Sequence, residues 1–435
     1  MNYTANDDIG KDMDYQRTIL KNGMRVIVAP MKGTRAMTLL VLIGTGSKYE
    51  SRKTNGLAHF LEHMFFKGTK THPKPGSISK KLDMLGAEYN AFTSAEETGY
   101  WVKADAAHFK TSLGFVADML QDSLLKKEEI EKERGPVIEE LKRRNDTPTM
   151  LVWEEWETLL YGDQPAGWPT IGNEENIRSF TRDNFLRYWK EHYLASNAVV
   201  VMAGNTEANG DAMGAIEAAF RTMPKGNPKQ RVPIKDDMAV ERLHIHTKDT
   251  DQSHLTIGGY GFSLVNEKDR LPAELLATIM GGYMSSRLWQ AVREKRGLAY
   301  TVNAAHQAYT DAGYFVAYAG VPHNKLALTI KLILKEFERV RAKGITKEEL
   351  TRAKDNIRGK MAISLESSDE VAAFLGAQEL LLGKIESPEE ILAKIERITH
   401  NDIKRVAEYL FAPRNMRCAV IGPHKQESYA KLFKN

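Results

Sequence analysis

His59, Glu62 and His63 stand in the run His59-Phe60-Leu61-Glu62-His63, and their types and spacing fit one kind of chemistry. Residues at i and i+4 of a helix lie one turn apart on the same face, with Cβ atoms about 5–6 Å apart, so two imidazoles can converge on one metal ion. Glu62 sits on the shoulder of that face. There a carboxylate can reach a water at the metal without being a ligand, as a general base must. Phe60 and Leu61 point elsewhere, toward a core. The pattern does not stand alone, because a chain with 12 histidines can produce such spacing by chance. Against two ordinary surface histidines stands their setting. They interrupt an apolar stretch of Leu57, Phe60, Leu61 and Phe65, where unpaired imidazoles are costly to bury.

A catalytic zinc site takes three protein ligands and keeps a position for water. Cys418 is the one cysteine, which excludes an intrachain disulfide and a cysteine-built zinc cluster and suits a reducing compartment. The third ligand must then be a histidine or a carboxylate. Candidates lie in the helical run from Glu128 to Arg144, EEIEKERGPVIEELKRR, most of whose charges read as a solvated face. Glu133 and Glu140 are seven apart, on nearly one face of an unbroken helix but roughly 10 Å apart along it. One is expected to bind the ion and the other to orient a ligand histidine. Spacing does not choose between them, and Gly135-Pro136 between them can kink or restart the helix.

The elements that must position these groups follow from pattern. QRTILKNGMRVIVAP, residues 16–30, reads as two short strands around an Asn22-Gly23 turn. Met37 to Ile43 is a further strand, and GLAHFLEHMFF, from Gly56 onward, is a helix with apolar residues at helical spacing. Ser112 to Arg144 reads as long and helical, Trp153 to Tyr161 as another helix, and Ala198 to Ala203 as a strand. Residues 222–241 collect three prolines and many charges without periodicity, the mark of a linker. Beyond it come strands at Leu243–His246 and Leu255–Gly259, a helix from about Pro272, strands between Ala299 and Ala319, long helices and a last strand. The segment from Thr181 aligns without gaps on that from Thr399, matching Thr181/Thr399, Arg187/Arg405, Asn197/Asn415 and Gly204/Gly422. The order of elements repeats too, which points to an internal duplication. The expected fold is α+β, in two tandem homologous halves, each an antiparallel or mixed sheet covered by helices. Their bounds are 1–223 and 242–435, joined by a linker over 224–241.

Composition narrows the function. A chain of 435 residues, 42% hydrophobic and 27% charged, is too long for a single compact core. Lysine and arginine total 61 against 57 acidic residues, a net +4, too mild for a dedicated nucleic-acid binder. GxxxxGK and GxGxxG motifs are absent, so nucleotide chemistry has no foothold. The N-terminal MNYTANDDIGKDMDYQ has no apolar core and carries four aspartates, unlike a secretory or transit peptide. The run Met37–Ile43 falls far short of the roughly 20 residues that cross a bilayer. A cytoplasmic location and no membrane partner are expected. Trp153, Trp156 and Trp168 read as core aromatics and Cys418 as buried filler. His72, His108, His192 and His323, without ligand-spaced companions, read as exposed or hydrogen-bonded imidazoles.

HxxEH followed by a glutamate 77 positions after its second histidine resembles the pitrilysin/insulinase metallopeptidases, the inverzincins. The resemblance extends along the chain through GSKYE (46–50), GLAHFLEHMFFKGT (56–69), LGAEYNAFTS (85–94), GGYMSSRL (281–288) and REKRGLAY (293–300). The size is that of the mitochondrial-processing-peptidase-like branch. The resemblance implies that His59, His63 and Glu140 bind one zinc per chain, that Glu62 is the base and that Glu133 orients a ligand. It implies that Asn90, Ala91 and Phe92 form an edge strand to which substrate adds as another strand. By itself NAFTS reads as an ordinary strand. Arg293 and Tyr300 resemble the family's pair of substrate-carbonyl and oxyanion donors, although seven residues apart they are unremarkable alone. The implied activity is a zinc endopeptidase acting on peptides or unfolded segments, working as a homodimer whose sites share Arg293 and Tyr300 across chains. The alternative is a non-catalytic or hetero-oligomeric partner subunit of a processing-peptidase-like complex. In the family, non-catalytic members typically carry damaged motifs, whereas His59, Glu62, His63 and Glu140 are intact here; a catalytic subunit that needs a different partner chain stays open.

Overall fold

The computed structural model describes residues 13–235 and 241–433; the polar N-terminal start and residues 236–240 of the linker lie outside the described residues. The strands are β1 (Gln16–Ile19), β2 (Arg25–Pro30), β3 (Ala36–Ile43), β4 (Glu88–Thr93), β5 (Thr98–Asp105), β6 (Ala198–Gly204), β7 (Leu243–Thr247), β8 (Ser253–Tyr260), β9 (Thr301–Ala308), β10 (Gly313–Val321) and β11 (Arg417–Gly422). They form two sheets, in the orders β1-β2-β6-β3-β5-β4 and β7-β11-β8-β10-β9. Leaving out β1, the two orders superimpose. In each, one pair is parallel (β2 with β6, β7 with β11) and the others antiparallel.

The repeat extends to side chains. Thr181 and Thr399 each begin a helix with a reciprocal capping box, closed by Asn184 in one and Asp402 in the other. Asn197 Nδ2 donates to the carbonyls of Gly44 and His192, and Asn415 Nδ2 to those of Tyr260 and Leu410. A Cβ on Gly44 or Gly259 would lie 2.7 Å from the amide oxygen of Asn197 or Asn415 respectively, so each asparagine is packed against a glycine of the neighbouring strand or turn.

The hairpin forms where expected, with Gly23 at φ 92° and Leu20 and Met24 closing the turn. Two helical readings change. The run 112–144 is two helices, Phe109–Asp122 and Lys127–Asp146. Between them Asp122 accepts the N–H of Lys70, the N–H of Leu124 bonds to Gly68, and Leu125 takes φ 44°. Pairing with a distant segment overrides local helix preference there. The helix expected from about Pro272 starts earlier, at Glu267, and the carbonyl of Lys268 that Pro272 cannot bond receives Arg405 Nη2 at 3.4 Å. Gly135-Pro136 does not break the 127–146 helix.

The halves interlock. The Ser368–Leu382 helix of the second half packs on β3 and β6, burying Val371, Ala372 and Leu375 against Leu40, Leu42 and Val201. The Pro148–Tyr161 helix of the first half packs on β8 and β11, burying Trp156 and Leu160 against Val316 and Ala419. Strands covered on both faces read as continuous apolar runs, which is why MTLLVLI and AVVVMA do not alternate. Polar contacts cross with them: Arg17 forks onto the buried Glu379 at 2.8 Å, and Lys48, with a side chain 1% exposed, reaches Asp311 of the second half at 2.5 Å as well as Glu96 of its own half at 2.7 Å. Residues 224–235 contain no helix or strand. Among the described residues no helix is long and apolar enough to cross a membrane.

Candidate metal centre

The Leu57–Phe65 helix carries His59, Glu62 and His63, and its other face is core: Leu57, Phe60, Leu61, Met64 and Phe65 are buried. Its first turn is capped from outside. Gly56, at the N-cap, has no side chain to satisfy the free N–H groups, and the buried carboxylate of Glu50 accepts from the N–H of Gly56 at 2.8 Å and of Ala58 at 2.7 Å. Asn55 Nδ2 adds a third bond to Glu50 at 3.1 Å. Burial pushes the Glu50 carboxyl up to about 8, against these three donors, which favour its ionised form.

The Lys127–Asp146 helix crosses this helix and brings Glu140 to both imidazoles. His59 Nε2 is 3.6 Å from Glu140 Oε1, and His63 Nε2 is 3.5 Å from Glu140 Oε2. One ligand atom from each of the three residues lies within 4.8 Å of the others, and among the described residues this is the one such cluster. Ligands about 2.1 Å from a tetrahedral zinc are about 3.4 Å apart, so the donors stand at near-ligand spacing around a common point. Two imidazole nitrogens and one carboxylate oxygen are a suitable set for zinc, and also for manganese or cobalt. His59 is 12% exposed at its side chain, and its Nδ1 is buried without a hydrogen-bond partner among the described residues.

Glu133 faces the other side of His63. Its Oε1 accepts the Nδ1–H of His63 at 3.0 Å and its Oε2 lies 2.5 Å from Lys67 Nζ. With a metal bound, that bond would keep the ring proton on Nδ1 and free Nε2 for the ion. The seven-residue spacing thus resolves as two contacts on two faces of one imidazole. Without metal, burial would lower the pKa of His63, but Glu133, Glu140 and Glu62 outweigh it and lift it to about 9. The imidazoles of His59 and His63 hold the Glu140 carboxyl far below its ordinary range. Burial would raise the Glu133 carboxyl, yet His63 and Lys67 bring it lower. Glu62, half-buried on the same helix, accepts a hydrogen bond from Thr93 Oγ1 at 2.6 Å.

Asn90, Ala91 and Phe92 lie in β4, the outer strand of the first sheet, next to this helix. Ala91 is buried and Phe92 is exposed. Arg293 and Tyr300 do not join the trio within the chain. Arg293 Nη1 donates to the carbonyl of Tyr300 at 2.5 Å, its guanidinium lies over the rings of Trp289 and Tyr300, and Tyr300 is 77% exposed. The groove they line is built from second-half residues alone.

Glu50, Lys67 and Thr93 escaped sequence reasoning. Glu50 and Thr93 stand in the segments GSKYE and NAFTS, but nothing in spacing connects either to the helix at 57–65. His192 departs from expectation: it is fully buried against Tyr188 and Tyr49, with neither ring nitrogen hydrogen-bonded among the described residues. His72 meets Asp118, and His323 meets Ser253 and the carbonyl of Thr250. Trp156 is core, Trp153 stacks on Tyr318, and Cys418 is buried.

Comparison with known proteins agrees with this architecture. Residues 25–174 match the family model described as Insulinase (Peptidase family M16), and residues 179–357 match the Peptidase M16 inactive domain. The chain is 34% identical over 410 residues to an uncharacterized zinc protease of Rickettsia bellii, spanning 94% of this chain and 98% of that protein. It is 33% identical over 410 residues to the uncharacterized zinc protease YmxG of Bacillus subtilis, with 94% and 98% covered. Among solved structures, a protease from Helicobacter pylori superimposes with a TM-score of 0.87 at 25% identity, over 94% of this chain and 99% of that one.

Proposed function

We propose, on the premise that the chain belongs to the insulinase family of M16 peptidases, that it is a zinc endopeptidase cutting peptides or extended, unfolded polypeptide segments. The observation that carries this is the convergence of His59, His63 and Glu140 on one point, with the carboxylate of Glu62 on the same helix. Zinc bound by that trio would polarise the scissile carbonyl and acidify a water beside it. Glu62 takes a proton from the attacking water and delivers it to the leaving amine as the C–N bond breaks. Glu133 keeps the proton of His63 on Nδ1 and its Nε2 aimed inward. Asn90, Ala91 and Phe92 offer the free edge of β4 to the substrate backbone, which gives affinity with little demand on sequence.

Arg293 and Tyr300 complete the site from a second copy of the chain, donating to the substrate carbonyl and to its developing oxyanion. Their local contacts and the exposure of Tyr300 support this reading. Mixing Glu62→Gln and Tyr300→Phe homodimers tests it: exchange between chains restores one intact site per mixed dimer, and no rescue after proven exchange contradicts the shared site. The activity itself is tested by digesting an unstructured peptide with and without chelator. Glu62→Gln is expected to keep its metal and lose about 10²- to 10⁴-fold in turnover; normal cleavage by that variant contradicts the assignment.

A further inference from the structure

We infer that Thr93 is a positioning residue for Glu62, aiming one carboxylate oxygen at the reacting water and tying that aim to the strand on which substrate docks. This rests on the reading of Glu62 as the base. An ionised carboxylate has no proton to give, so the hydroxyl of Thr93 is the donor in its 2.6 Å contact with Glu62 Oε2. That length is typical of an O–H donor on a charged oxygen, about twice as strong as a neutral pair. Among the described residues no second hydrogen bond holds the other oxygen of Glu62, so Oε1 stays available for a proton.

Thr93 is fixed by the backbone. It is the last residue of β4, opposite Thr98 in β5, and the turn beyond it is closed by the N–H of Ser94 on the carbonyl of Glu97 at 2.8 Å. Alternation along β4 puts Tyr89, Ala91 and Thr93 on one face and Glu88, Asn90 and Phe92 on the other. Ala91 belongs to the same buried core as Phe60 and Leu61, and so the face of Thr93 is the one turned to the 57–65 helix. One strand therefore offers main-chain groups at its free edge and holds the base with its final side chain. A substrate strand pairing with β4 is registered against Glu62 without touching it.

A merely structural threonine would lower stability when altered and leave the chemistry alone. The full chain with its metal is compared as wild type, Thr93→Val, which keeps the shape without the donor, and Thr93→Ser, which keeps the donor. Thr93→Ala stands in should the valine variant fold poorly. The expected result for either donorless variant is a fall in kcat of about 10- to 100-fold with KM within about twofold and metal content unchanged. Thr93→Ser should recover most of it. In unfolding of the metal-stripped chain, Thr93→Val should lower the denaturant midpoint in the wild-type background and not in Glu62→Ala. Unchanged kcat in both donorless variants, or no rescue by serine, overturns the inference. If Glu62→Gln itself cleaves normally, the underlying reading of the base has failed instead.

Discussion

Glu133 holds the Nδ1–H of His63 at 3.0 Å, and Lys67 grips the other oxygen of the same carboxylate at 2.5 Å. A glutamate seven residues before Glu140 thus acts on the far side of the His63 ring. With zinc bound by the trio it would settle the tautomer and raise the basicity of Nε2.

Glu133→Gln should therefore weaken zinc binding by about 10- to 100-fold while leaving the fold intact. Competition against a chelator of known affinity reads this directly. Unaltered affinity would mean that Glu133 only packs against His63.

Glu155, on the 148–161 helix, reaches across to the second sheet and binds two histidines of β7, His246 Nδ1 at 2.7 Å and His244 Nε2 at 3.0 Å. Burial would raise the Glu155 carboxyl, but the histidines outweigh it and lower it from 4.5. The bond to Glu155 raises His244 from 6.5, against its burial. The His244 contribution is whole below about pH 6.5 and is lost as pH rises through its raised folded value. That of Glu155 is whole above about pH 4.5 and is lost as pH falls. Glu155→Gln should thus cost most stability between about pH 4.5 and 6.5 and less at pH 9. Denaturant midpoints of both proteins across that range check it; a pH-independent difference would exclude an ionic clasp.

His192 gives the opposite sign. Burial, with a smaller push from Lys229, depresses its pKa from 6.5 to about 4. Between these values the unfolded chain binds the extra proton, so stability falls on acidification, by up to about 3 kcal/mol near pH 4. His192→Phe should remove that slope and make the protein more resistant to acid. Acid-unfolding curves that coincide for the two proteins would contradict this.

Much of the framework was legible in the sequence because local rules governed it. Asn22-Gly23 makes its turn, HxxEH makes its helical face, and the offset between Thr181 and Thr399 marks two sheets of one order. What was hidden depends on distant partners. No local signal says that the chain at 123–126 leaves its helix to pair near Thr69, or that the 148–161 and 368–382 helices pack on the sheet of the opposite half. Glu133 and Glu140 could not be told apart by spacing alone, since their roles depend on how two helices cross. Glu50 and Thr93 were invisible for the same reason: Glu50 acts through three hydrogen bonds and Thr93 through one, all between segments whose approach only the fold sets.

Anomalous diffraction at the zinc edge, from crystals of the full chain grown with zinc, decides whether the trio binds the metal. One strong peak per chain is expected, about 2.0–2.2 Å from His59 Nε2, His63 Nε2 and an oxygen of Glu140, with room left for solvent. An empty imidazole pair with Glu140 turned away, in crystals saturated with the metal, would contradict it.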